Sequence, residues 1–253
     1  MKWSRGFFDF FLPRTCAVCE CRLSVGEQTL CLSCINHLHR VAYRGGDYHG
    51  VIERMFWGRF PIERATSFFY YDSVQATHLI HALKYFGRPE AGRSLAMLFA
   101  KEMQSSDFFD GVDAFVSLPL HWRKRLKRGY NQSDYIVEGL SMATGIPVLH
   151  GVVKRVKNNP SQTHLNAFQR MENVRGIFRV VNHHPLAGRH IMLVDDVLTT
   201  GATLTSCAME LAKVRGLRLS IFTLTYASEM SDFQISEENE PIYELHVRPQ
   251  DEQ

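Results

Sequence analysis

The sequence predicts an α/β fold, a parallel sheet covered on both faces, with a small cysteine-rich module in front of it. Three observations carry this expectation. From residue 67 onward, short apolar runs alternate with stretches of helical spacing. The run Ile191-Met192-Leu193-Val194 is unbroken, as a strand buried on both faces requires. Five of the six cysteines fall within residues 16–34.

The elements follow in order. Residues 1–45 form the cysteine module and 46–66 a connector rich in glycine and aromatics. The α/β domain spans 67–228, and 229–253 is an acidic tail with one weak strand pattern at Ile242 to Val247. Ser67 to Tyr71 reads as the first strand. Thr77 to Tyr85 and Ala91 to Gln104 carry leucines at helical spacing. Ala114 to Leu118 is a strand stopped by Pro119. Ser133 to Thr144 is a helix with Gly145 at its end. His190 to Val194 is a strand, Thr203 to Val214 a helix, and Leu219 to Tyr226 a final strand.

With 253 residues the chain is long enough for one α/β core and a small appendage. Its 45% hydrophobic and 22% charged content is that of a globular protein. A net charge of +3 excludes a nucleic-acid argument from bulk electrostatics, so any basic partner must be read from local clusters. No run of 18 apolar residues exists, so no membrane span is expected. The start is a poor secretory signal, because Asp9 interrupts its apolar stretch. The protein is therefore expected in the cytoplasm with reduced thiols. The Phe7 to Leu12 stretch reads as a segment packed on its own domain, with an amphipathic anchor as the other reading.

The strand at 191–194 runs straight into Asp195 and Asp196. Strand side chains alternate faces, so a continued strand would send one carboxylate into each covered face. Burying an unpaired carboxylate is costly. The strand is therefore expected to end at Val194, leaving both acids at its carboxyl edge, where open α/β sheets bind ligands. Thr199-Thr200-Gly201-Ala202-Thr203 follows. Gly201 allows a tight turn and close approach to an anion, the threonines add hydroxyl donors, and the next helix start offers unpaired N–H groups. Loop and acids together suit a sugar bearing a phosphate and a vicinal diol, with ~1.5–3 kcal/mol for each charge-assisted bond to the diol. An Asp-Asp turn with a Thr203 helix cap is the plainer alternative.

Five of the six positions from Arg123 to Arg128 are basic: Arg123, Lys124, Arg125, Lys127 and Arg128. They follow a strand end, on the edge that would carry Asp195. Three readings stay open: a pyrophosphate site, a single-stranded nucleic-acid surface with Trp122 and Tyr130 for stacking, and a solvated face. Asn158-Asn159-Pro160-Ser161, flanked by Lys154, Arg155, Lys157, Arg170 and Arg175, reads either as a mobile loop closing over a charged substrate or as a plain surface loop.

Cys16-x2-Cys19 and Cys31-x2-Cys34 are separated by eleven residues. Two such knuckles suit tetrahedral Zn²⁺ held by four thiolates, a closed and therefore structural site. Metal binding of ~10–16 kcal/mol would stabilise a segment too small to fold alone. Cys21, His37 and His39 lie close enough in sequence to replace one ligand. Cys207, on the helix after the loop, is expected as a buried filler.

Residues 191–204, IMLVDDVLTTGATL, resemble the phosphoribosyl pyrophosphate signature of type I phosphoribosyltransferases. The resemblance implies that Asp195 and Asp196 hold the ribose hydroxyls, that Thr199 to Thr203 hold the 5′-phosphate, and that Mg²⁺ sits on the pyrophosphate. With the four-cysteine module, the chain is similar to the ComF family, whose pattern also includes Leu83 to Tyr85, Arg128 to Gln132, and the spaced Arg155, Gln162, Arg170, Asn173 and Phe178. That similarity implies a type I phosphoribosyltransferase-like domain, phosphoribosyl pyrophosphate as ligand, and a link to single-stranded DNA in transformation. It implies a Mg²⁺-dependent transferase of unidentified acceptor. The cysteine module and the Arg123 to Arg128 cluster leave open a non-catalytic module that senses phosphoribosyl pyrophosphate or contacts single-stranded DNA or a DNA-uptake protein, and a purely structural domain with a vestigial sugar site is the third reading. No residue identifies itself as a general base, and oligomeric state is left open.

Overall fold

The computed structural model describes residues 13–43, 50–157 and 176–227. The expectations for Phe7 to Leu12, for the 158–175 part of the basic loop, and for the acidic tail with its strand at Ile242 to Val247 lie outside the described residues.

Among the described residues there are six strands: β1 (Arg64–Tyr70), β2 (Ala114–Ser117), β3 (Val153–Arg155), β4 (Phe178–Val180), β5 (His190–Leu198) and β6 (Arg218–Tyr226). Four of them form one sheet in the order β1-β6-β5-β2, parallel throughout. β3 and β4 pair antiparallel beside it. The helices are α1 (Leu32–Asn36), α2 (Val51–Arg54), α3 (Val74–Tyr85), α4 (Glu90–Glu102), α5 (Trp122–Arg128), α6 (Gln132–Thr144) and α7 (Ala202–Leu211).

The apolar runs of the central strands are buried on both sides, as their unbroken character requires. Met192, Val194, Phe222 and Leu224 pack into one core with α3, α4 and α6. Ile191, Leu193, Leu219 and Ile221 pack into a second with α7 and the β3–β4 pair. Phe99 of α4 stacks on Phe222 with ring centroids 4.2 Å apart. Each such buried ring contributes about 1.5–3 kcal/mol. At Gly139 of α6 an added Cβ would lie 2.3 Å from the Arg93 carbonyl oxygen of α4, so this glycine is what lets the two helices pass closely.

Each edge strand of the sheet is partly covered. Tyr70 N–H donates to His39 O at 2.8 Å and Val41 N–H to Phe68 O at 3.0 Å, which lays residues 39–41 along β1. Residues 147–149 do the same for β2 through Phe115.

The structure corrects one expectation at the centre of the sheet. β5 does not stop at Val194; it runs through Asp195 and Asp196 to Leu198, with Asp195 paired to Thr223 and Val197 to Thr225. β6 is nine residues long and offers ladder partners all the way, so ending the ladder early would sacrifice backbone hydrogen bonds. The carboxylates are instead accommodated by side chains from elsewhere in the fold, described below.

Among the described residues, the cysteine segment has no core separate from that of the sheet. Cys16, Val18, Leu23, Leu30, Cys34 and Leu38 are buried in the same cluster as Phe68 and Phe99. Thr29 Oγ1 donates to Ser94 Oγ at 2.5 Å, and Arg88 Nη2 to Thr15 Oγ1 at 3.2 Å.

Candidate functional site

The carboxyl edge of the sheet is built by β5 and the turn into α7. Gly201 adopts φ 71°, ψ 3°, the left-handed region, at the N-cap of α7. Its missing Cβ matters twice: that region is strained for other residues, and a Cβ there would stand 3.1 Å from the Phe56 ring. No side chain caps α7, so its first N–H groups are served only by what the loop or a ligand provides. Thr199 is exposed, Thr200 and Thr203 are partly exposed, and Ala202 is buried.

The two acids have different partners. Ser133 Oγ of α6 donates to Asp195 Oδ1 at 2.9 Å. Asp196 is 7% exposed, and its Oδ2 accepts no hydrogen bond from the described residues. Lys84 Nζ, from the last turn of α3, stands 3.5 Å from that oxygen. Burial pushes the Asp195 carboxyl up to about 7, helped by the neighbouring Asp196 charge and opposed by the Asp196 backbone N–H, Ser133 and Lys84. The pair is thus a partly compensated cluster of negative charge, primed for hydrogen-bond donors.

Residues 128–134 tie these parts together. Tyr130 OH donates to Leu83 O at 2.7 Å, Asn131 Nδ2 to Leu118 O at 3.1 Å, and Ser117 Oγ to Asp134 Oδ1 at 2.6 Å. Sequence reasoning matched Leu83 to Tyr85 and Arg128 to Gln132 to a family pattern but assigned Lys84 and Ser133 no part in the site. Nothing local could have done so: Ser133 lies 62 positions from Asp195.

The basic cluster lies on α5, which follows β2 on the same edge. Leu118 N–H donates to Val194 O at 2.8 Å, so the chain leaves β2 beside the acids. His121 Nδ1 accepts from the Arg123 N–H at 3.3 Å, and Gly129 ends the helix at φ 82°. Arg123 and Arg125 are exposed, while Lys124 and Arg128 are partly covered. Trp122 and Leu126 are 61% and 79% exposed. Arg123 lies over the Trp122 ring and Arg128 over Tyr85, each at 5.2 Å. The charge of Arg155 on β3 bears on both His121 and Cys207, so one flank of the basic loop reaches this edge.

A cavity of about 310 Å³ lies alongside β1, lined by Tyr43, Glu53, Thr66, Tyr70 and Tyr226 among others, and touches neither acid nor the glycine loop. Burial raises the Glu53 carboxyl there, and its Oε1 accepts from Ala65 N–H at 3.2 Å. Glu53 thereby ties α2 to β1.

At the other end of the chain, the Sγ atoms of Cys16, Cys19, Cys31 and Cys34 all lie within 4.8 Å of one another. Cys19 and Cys31 Sγ are 3.7 Å apart, close to the ~3.8 Å edge of a tetrahedron with Zn–S bonds of ~2.3 Å. Backbone N–H groups of Val18 and Cys31 point at Cys16 Sγ, and that of Cys34 at Cys31 Sγ. Burial raises Cys16, yet the backbone donors of Cys19, Cys31 and Val18 outweigh it and bring the thiol down to about 7. The donor set fits a tetrahedral thiolate site. Of the three candidate substitutes, Cys21 is exposed outside the cluster. His37 Nδ1 donates to Ser33 O at 2.7 Å, and His39 pairs with Asp72 at 3.0 Å. Cys207 is fully buried in the apolar core, as expected.

Fold and site together define a parallel α/β protein with an acid pair and a glycine loop at one sheet edge and a four-cysteine cluster in its N-terminal segment. No family model matches the chain. It is 31% identical to Competence protein F of Haemophilus influenzae over 153 residues, 59% of this chain and 67% of that one. It is 33% identical to the DNA utilization protein YhgH of Salmonella typhi and of Escherichia coli over 149 residues, 58% of this chain, and spans 65% of the length of those relatives. The chain belongs to the ComF family. Among solved structures, adenine phosphoribosyltransferase of Saccharomyces cerevisiae is 18% identical, with a TM-score of 0.37 over 57% of this chain and 73% of that one. The glutamine phosphoribosylpyrophosphate amidotransferase of B. subtilis gives the same identity and TM-score over 53% of this chain and 26% of that one. Among the described residues, no helix is long and apolar enough to cross a membrane.

Proposed function

We propose that the edge formed by Asp195, Asp196 and Thr199 to Thr203 binds phosphoribosyl pyrophosphate and that the chain is a phosphoribosyltransferase acting on an unidentified acceptor. The observation that carries the reading is the placement of an ionisable acid pair directly before a glycine turn and an uncapped helix start. The acids accept hydrogen bonds from the ribose hydroxyls, and the loop and α7 take the 5′-phosphate. Arg123, Lys124, Arg125 and Arg128, with Arg155, offset the pyrophosphate charge as the bond to the anomeric carbon breaks. Mg²⁺ bound with the pyrophosphate would supply further stabilisation of that leaving group. Cys16, Cys19, Cys31 and Cys34 hold a structural zinc ion. The names of the relatives support a role in competence and DNA utilisation.

Titration calorimetry with phosphoribosyl pyrophosphate and Mg²⁺ tests the reading. Binding that is lost in Asp195→Ala/Asp196→Ala supports it; no heat from the intact chain sinks it. Pyrophosphate release with a cell extract then separates catalysis from binding alone.

The exposed Trp122 and Leu126 among five cations favour a second reading, a single-stranded DNA surface on α5. Affinity for an oligonucleotide that falls steeply with salt, and falls further when Arg123, Lys124 and Arg125 are neutralised, supports it. Indifference to both counts against it.

A further inference from the structure

We infer that Lys84 is the counter-ion of the acid pair and acts as a positioning residue for the sugar site, through Asp196. The ion pair itself stands on geometry alone; its consequence for sugar binding rests on the function proposed above. Two adjacent carboxylates on a buried strand repel each other and lose hydration together. Ser133 serves Asp195, which leaves Asp196 Oδ2 buried without a hydrogen bond among the described residues. Lys84 Nζ is 3.5 Å from it, and the two side chains are only 14% and 10% exposed.

A lysine in the last turn of a helix also favours the helix dipole, and that alone would leave its head in water. Here the last turn of α3 is clamped from outside. Tyr130 OH holds Leu83 O at 2.7 Å, and Arg128 covers the Tyr85 ring. The residue between them is thereby directed at the acids. Further titratable and charged groups lie on the elements that carry or flank Lys84 and the acids. Lys84 and the histidines His78 and His81 lie on α3, with His81 held down by burial and by Lys84. Cys207 lies on α7, and Arg155 reaches in from β3. Of these, Lys84 is the cation whose charge lowers Asp195 directly.

The test compares the full chain with Lys84→Met and Lys84→Arg, each labelled with carboxyl-¹³C aspartate and titrated by NMR without ligand. Lys84→Met should raise the upper titration midpoint of the pair by about one pH unit, a roughly tenfold change in proton affinity, and Lys84→Arg should stay near the parent. Coincident curves for Lys84→Met and the parent overturn the inference. A purely structural lysine would lower the melting temperature and leave the titration in place. If Lys84→Met does not fold, Lys84→Gln is read the same way. Calorimetry with phosphoribosyl pyrophosphate at pH 6 and pH 8 then reads the consequence: affinity of Lys84→Met should fall roughly tenfold at pH 6 and less at pH 8. A parent chain that binds no phosphoribosyl pyrophosphate refutes the sugar reading, while the titration still decides the ion pair.

Discussion

Ser133 on α6 and Asp195 on β5 meet through a 2.9 Å hydrogen bond that joins two segments 62 positions apart. The hydroxyl lowers Asp195, against burial and the charge of Asp196. Ser133→Ala should therefore push the Asp195 carboxyl higher still and weaken phosphoribosyl pyrophosphate binding by about tenfold at neutral pH, the worth of one charge-assisted bond. Calorimetry checks it; unchanged affinity would show that Asp195 needs no such support.

Asp195 itself should make the protein less stable as pH rises. Its folded value, about 7, lies above that of an unfolded aspartate, 3.8. The native state therefore holds the proton more tightly, and the stability this brings is complete below the unfolded value and lost as pH rises through the folded one. Asp195→Asn should melt higher than the parent at pH 8, with the gap closing below about pH 4. Melting scans across that range provide the check, and a gap of constant size would contradict it. A site that is costly to the fold is what a binding role entails.

Gly201→Ala meets two penalties at one atom, a left-handed backbone and a methyl 3.1 Å from the Phe56 ring. Urea denaturation should show a loss of about 1–2 kcal/mol. The proposed phosphate binding should weaken as well, because the ring and the loop must separate. A variant as stable as the parent would show that the turn relaxes freely.

Removing metal from the cysteine cluster should destabilise more than the N-terminal segment. Cys16 and Cys34 belong to the same core as Phe68 and Phe99. A chelator, or Cys34→Ser, is expected to lower the melting temperature of the cysteine segment and the sheet together in a single transition, and metal analysis of the untreated protein should find about one zinc per chain. Two separate transitions would mean that the cluster folds on its own.

The parallel α/β architecture was legible because buried strands and amphipathic helices write themselves in periodicity: Ile191 to Val194 and the leucines of α3 and α4 needed no partner to be recognised. The acids, the glycine loop and the paired cysteines were legible for the same reason, since each works within a few residues of itself. The end of β5 was not. A buried carboxylate is uncompensated on the strand alone but not in the assembled sheet. Ser133 and Lys84, each far away in the chain, offset the cost.

What the sequence determined by itself was therefore everything whose physics is local: which runs become strands and helices, where Gly201 must turn, and which four cysteines could converge. Only the tertiary structure decided what surrounds Asp195 and Asp196 and that the cysteine segment shares its core with the sheet. Those depend on contacts between residues tens of positions apart, and the closure of such contacts is a property of the assembled sheet and not of any window along the chain.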